Sequence, residues 1–103
     1  MSAEFVTVGK VADLQVGGVA AFDVNGARVA VANVGGTFYA FDDMCTHAEC
    51  SLGEGELDEA KVICPCHQGT FDVRTGAVIG RPARFPLKTY PVRALGDELQ
   101  IAI

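Results

Sequence analysis

Val19-Ala-Ala-Phe-Asp-Val24, then Asn25-Gly26, then Ala27-Arg-Val-Ala-Val-Ala-Asn33 is the stretch that decides the fold. β-branched and aromatic residues recur along it, and Asn-Gly supplies two neighbours that tolerate positive φ. A two-residue type I′ hairpin turn needs that pair. Gly35-Gly36 offers a second hairpin turn before Thr37-Phe-Tyr-Ala-Phe41. Working outward, Phe5–Val8, Glu56–Leu57, Lys61–Ile63, Thr70–Asp72, Ala77–Val78, Lys88–Val92 and Glu98–Ile103 read as further short strands. Twelve glycines and four prolines punctuate these runs, which is the pattern of an all-β sandwich or barrel. Only a single turn near Val11–Leu14 suggests helix. The region of Pro82 and Pro86 lies between two strand signals and reads as an ordered loop.

With 103 residues, the chain has room for one domain and one core. Half of it is hydrophobic, so it should fold. Apolar runs such as Val29-Ala-Val-Ala32 are too short to span a bilayer, and no membrane association is expected. Met1-Ser-Ala-Glu-Phe5 has neither the basic nor the apolar part of a secretion signal, so the cytoplasm is the expected compartment. A net charge of −5 argues against nucleic acid as a partner. That charge is uneven, with ten acids and two bases in residues 1–60 but three acids and six bases in residues 61–103. Glu49, Glu54, Glu56, Asp58 and Glu59 form the densest acidic stretch. It is either a solvated loop or a docking patch for a basic partner.

All four cysteines and both histidines fall between positions 45 and 67. They form two boxes, Cys45-Thr-His47-Ala-Glu-Cys50 and Cys64-Pro-Cys66-His67, with sixteen residues between His47 and Cys64. Two short Cys/His boxes on converging loops can hold a metal centre. A structural zinc site uses the same donor atoms, so donor chemistry alone leaves zinc and iron both open. No Ser/His/Asp arrangement is available, because both histidines sit inside the boxes. No phosphate-cradling glycine loop precedes a helix.

The pattern Cys-x-His, sixteen residues, Cys-x-x-His resembles the signature of Rieske [2Fe–2S] proteins. Zinc fingers more often group Cys with Cys and His with His. Gln68-Gly-Thr-Phe-Asp72, Thr75-Gly76 and the Gly80-Arg-Pro82 loop resemble the same family, over residues 20–103. The resemblance implies one cluster, with Cys45 and Cys64 on one iron and His47 and His67 on the other. It also implies a Rieske fold in one domain, residues 1–103. An antiparallel sandwich or incomplete barrel, residues 1–44 and 80–103, would carry an inserted cluster-binding subdomain, residues 45–79.

Two ferric irons, two sulfides and two thiolates sum to zero charge, whereas four thiolates would leave the core doubly negative. An electron enters the neutral core more easily, which places Rieske potentials at about −150 to +300 mV against about −400 mV for plant-type ferredoxins. Quinol-oxidising Rieske proteins carry a serine two residues after the last histidine and a tyrosine four after it. Here these positions are Gly69 and Phe71, neither of which donates a side-chain hydrogen bond to cluster sulfur. The chain thus resembles the low-potential ferredoxins of aromatic-ring dioxygenases. Cys50 and Cys66 depart from that branch, occupying the positions at which quinol-oxidising proteins carry a disulfide. They would form a disulfide or two packed thiols. Leu52 would shield the cluster or belong to the plain core, and Pro82 would shape a loop covering it. Tyr39, Phe41, Phe71 and Phe85 read as core aromatics.

The expected function is one-electron transfer from a flavin-dependent reductase to a terminal oxygenase, with no catalysis on a substrate by this chain. Three rivals are the small Rieske subunit of an assimilatory nitrite reductase, the soluble head of a quinol-oxidising complex and a zinc-stabilised interaction module.

Overall fold

The structure, a computed structural model, describes residues 4–44, 50–66, 69–80 and 86–102. Its strands in chain order are β1 Phe5–Lys10, β2 Val19–Val24, β3 Ala27–Val34, β4 Thr37–Asp42, β5 Glu56–Asp58 and β6 Lys61–Ile63. They continue as β7 Thr70–Asp72, β8 Val78–Gly80, β9 Thr89–Tyr90, β10 Val92–Leu95 and β11 Glu98–Ala102. They form three sheets, ordered β1-β11-β10, β2-β3-β4-β9 and β5-β6-β7-β8. Every recorded strand pairing is antiparallel. A single turn of 3-10 helix occupies Val11–Asp13, inside the span where one turn is expected.

The deciding hairpin forms as its residues require. Val24 pairs with Ala27 across the turn, and Asn25 and Gly26 adopt φ of 50° and 85°. Gly35 and Gly36, at 61° and 97°, turn β3 into β4 in the same way.

β3 explains how the layers stack. Successive strand side chains point to opposite faces, so a strand buried on both faces reads as an unbroken apolar run. Val29 and Val31 join Leu14, Val24, Ala40, Leu99 and Ile101 in one core, against the sheet of β1, β11 and β10. Ala30 and Ala32 join Phe41, Leu52, Val62, Cys64, Phe71, Val73 and Leu87 in a second core, against the sheet of β5–β8. The middle sheet is therefore shared by two cores. The alanines make room on the second side for Phe41, which lies directly opposite Ala30.

Buried Asn33 holds the neighbouring loops in place. Its side-chain amide donates to the Leu14 carbonyl at 2.9 Å and accepts from the Gly36 N–H at 2.9 Å.

One expected strand divides in two. Lys88–Val92 is broken at Pro91, with β9 pairing to β4 and β10 to β11. Proline has no N–H for a ladder, and the chain leaves one sheet for the other at this residue. The Pro91 carbonyl accepts the Ala102 N–H at 2.9 Å, and β10 continues to Leu95, past the expected end. The last strand of the third sheet is Val78–Gly80 rather than Ala77–Val78. Phe41 and Phe71 are fully buried and Tyr39 half-buried. Pro82 and Phe85 lie outside the described residues.

Candidate metal centre

β6 ends at Ile63 and delivers Cys64 into the second core, fully buried with its thiol free. The Cys64 N–H donates to the Gly69 carbonyl at 2.8 Å, which closes the segment carrying the second box. The first box sits on a segment closed in a similar way. Met44 and Ser51 form an isolated antiparallel bridge, and the Leu52 N–H donates to the Asp43 carbonyl at 2.7 Å. Cys50 and Cys66 are joined by a disulfide with their Cα atoms 6.3 Å apart. The two segments are thus each closed at the base and tied to each other.

Leu52 and Phe71 are both fully buried in the core that contains Cys64. Leu52 therefore packs in the same core as the cysteine. Gly69 is buried, and its carbonyl is engaged by the Cys64 N–H. Cys45, His47 and His67 lie outside the described residues. Among the described residues, no group of three Cys, His, Asp or Glu side chains is placed to hold a metal ion.

Among the described residues near the boxes, the most densely bonded is one that the sequence does not single out. Asp43 is 2% exposed, and its carboxylate accepts from the Arg28 guanidinium, the Ser51 hydroxyl and the Gly53 N–H. An acid two residues before the first cysteine was the available signal, but in an acid-rich half it does not stand out. Gly53 is required by close approach, because a Cβ there would lie 2.6 Å from the Ala21 nitrogen. The turn Leu52–Glu54 can rest on β2 only without that atom.

Glu54, Glu56, Asp58 and Glu59 are all exposed, on and around β5 at the edge of its sheet, while Glu49 lies outside the described residues. A depression of about 270 Å³ is lined by Glu54, Gly55 and Glu56 on one side and Ile63, Cys64 and Pro65 on the other. The acidic stretch therefore borders the approach to Cys64. A wider depression of about 380 Å³ lies between β4, β9, β10 and the turn after β7, and among the described residues neither cysteine nor histidine lines it.

One ionisable group near the base of the first segment is strongly shifted. Burial, with a hydrogen bond donated to Asp42, pushes the Tyr90 phenol from 10.0 up to about 12. The folded state thus favours the protonated phenol. Tyr90 contributes stability that is complete below pH 10 and lost as pH rises through about 12. Urea unfolding midpoints should fall across that window. Tyr90→Phe should remove this part of the decline, and an equally steep decline in the variant would assign it elsewhere.

A sequence profile of the Rieske [2Fe–2S] domain matches residues 4–91. The chain belongs to this family. Rieske domains are built around a [2Fe–2S] cluster, and what is described of this one fits that group. With Cys50 and Cys66 paired, Cys64 is the free, buried thiol among the described cysteines. The 3-phenylpropionate/cinnamic acid dioxygenase ferredoxin subunit of Escherichia coli strain K12 is 46% identical over 74 residues, 71% of this chain and 70% of that one. The ferredoxin of carbazole 1,9a-dioxygenase from Nocardioides aromaticivorans IC177 is 37% identical with a TM-score of 0.92, over 97% of this Rieske chain and 98% of that one. A ferredoxin solved in complex with the oxygenase of carbazole 1,9a-dioxygenase is also 37% identical, with a TM-score of 0.89 over 95% and 92% of the two chains. Among the described residues, no helix of this Rieske protein is long and apolar enough to cross a membrane.

Proposed function

We propose that this Rieske protein is the ferredoxin of a multicomponent ring-hydroxylating oxygenase. It takes single electrons from a flavin-dependent reductase and gives them to the terminal oxygenase, with no catalysis on the aromatic substrate. The observation that carries the reading is likeness along nearly the whole chain to dioxygenase ferredoxins, one of them solved against its oxygenase. Cys45 and Cys64 would hold one iron and His47 and His67 the other. Residues 45–79 would be the cluster-binding part, on a base of residues 1–44 and 80–103, within one domain that works in the cytoplasm.

The cluster, when bound, supplies reversible one-electron chemistry. The protein's residues do the rest. Cys64, buried among Leu52, Val62 and Phe71, offers its thiolate where bulk water is excluded. The backbone bond from Cys64 to Gly69 holds the second box in shape. Apolar Phe71 and side-chain-free Gly69 add no hydroxyl donors, which supports a low potential. Exposed Glu54, Glu56, Asp58 and Glu59 suit a fast, salt-sensitive encounter with a basic partner face.

Redox titration followed by electron delivery to candidate oxygenases tests the reading. The expected midpoint is roughly −150 mV, at the lower end of the Rieske range. A value above about +100 mV on that scale would overturn the low-potential assignment. A colourless protein loaded with zinc would overturn the cluster itself. A permanent large partner in native size-exclusion would favour a stable enzyme subunit over a mobile carrier.

A further inference from the structure

We propose that Asp43 is the positioning residue of the cluster's first loop, an inference that rests on the Rieske reading. Its backbone and side chain together make five bonds. One carboxylate oxygen accepts the Arg28 Nε at 2.9 Å from β3. The other accepts the Ser51 hydroxyl at 2.9 Å and the Gly53 N–H at 2.8 Å. The Asp43 carbonyl accepts the Leu52 N–H at 2.7 Å, and its own N–H donates to the Arg28 carbonyl at 3.2 Å.

These bonds join the two ends of the 45–50 segment to each other and to a strand buried on both faces. Placement gives the arrangement its reach. Cys45 follows Asp43 by two residues, and Cys50 precedes Ser51. Cys50 is tied to Cys66, which lies between Cys64 and His67. Asp43 thus binds the residues that follow the first box, and the disulfide from Cys50 links that region to Cys66 in the second. The charge also has a reason. A buried carboxylate needs charge-assisted donors, and Asp43 is 3% exposed in its side chain while Arg28, at 56%, keeps one side in water. An apolar residue could fill the space but could not accept three donors at once.

Two variants separate the two sides of the carboxylate. Asp43→Asn keeps one oxygen for Ser51 and Gly53 but turns an NH₂ toward Arg28. Asp43→Ala loses both sides. A control, Val24→Ala, lowers stability from the other core without touching the loop.

Three properties should be compared at matched iron content: iron release to a chelator, the EPR g-values of the reduced cluster, and amide exchange at Leu52 and Gly53. Release should quicken roughly tenfold in Asp43→Asn and further in Asp43→Ala, the scale of a lost charge-assisted hydrogen bond. The g-values should shift and the two amides lose protection, while Val24→Ala keeps wild-type g-values. A wild-type-like Asp43→Asn, or an equal g-shift in Val24→Ala, would overturn the positioning role and leave the cluster reading standing. Wild-type protein without a visible chromophore would overturn both.

Discussion

Cys64→Ser protein should be purified colourless, with iron and sulfide at background, while the double variant Cys50→Ser/Cys66→Ser should be purified coloured. The two outcomes follow from the different work assigned to the cysteines. Cys64 is free and fully buried, and in the proposed cluster its thiolate would be one of the iron ligands. A serine hydroxyl stays protonated at neutral pH and cannot take that place. Serine is no larger than cysteine, so the second core should survive, at the modest cost of a buried hydroxyl, about 1–3 kcal/mol if unpartnered. Circular dichroism should therefore report a folded protein without its cluster.

Cys50 and Cys66 act on the loops instead. A bridge with a sequence separation of 16 nominally contributes about 3 kcal/mol by restricting the unfolded chain. A bound cluster would already tie the same segments through Cys45 and Cys64, so much of that restriction is made twice. The double variant should accordingly load iron and release it faster, and the bridge should matter most to the cluster-free protein. A colourless double variant beside a coloured Cys64→Ser would reverse the assignment of the four cysteines. Alkylation of both Cys50 and Cys66 in unreduced, denatured wild-type protein would show that they are not paired in solution.

Much of the molecule was legible in the sequence where one local rule acts alone. Asn25-Gly26 and Gly35-Gly36 adopt the positive φ that two-residue turns need, and the strands flanking them follow. The spacing of cysteine and histidine pointed to the Rieske family, and the family profile matches residues 4–91. What could not be read was anything set by a distant partner. Pro91 is an ordinary interruption in a strand pattern, and only the positions of β4 and β11 make it the point where the chain changes sheets. The run Val29–Ala32 lies in an expected alternating strand, but its burial on both faces depends on the two sheets that pack against it from elsewhere in the chain. Asp43 is one acid among ten in its part of the chain until folding brings Arg28, Ser51 and Gly53 around it. Gly53 shows the same limit, because its need for no side chain comes from Ala21, thirty-odd positions earlier.

The second large effect expected is from Phe71→Ala. Phe71 is fully buried on β7, opposite Val62 on β6, in the core shared with Leu52, Phe41 and Cys64. Truncating a buried phenylalanine costs about 3–5 kcal/mol, combining lost transfer energy with the cavity left behind. A domain of this size is stable by roughly 5–15 kcal/mol in total, so the variant should be close to unfolding. Its melting temperature should drop on the order of 20 °C, given several degrees per kcal/mol at this length. Phe71→Leu should recover most of the loss, because it refills most of the volume with apolar atoms.

The position of Phe71 makes the effect local as well as global. The strands β5–β8 are short, and Phe71 on β7 belongs to the same buried core as Cys64, Leu52 and Val62. A cavity beside Cys64 should admit water to a thiolate that is otherwise dry, and the cluster should be lost well below the temperature at which the rest of the chain melts. Visible absorbance and far-ultraviolet circular dichroism, followed together on heating, distinguish the two events. Coincident transitions in Phe71→Ala would mean that this aromatic supports the whole domain and has no separate part in shielding the metal centre.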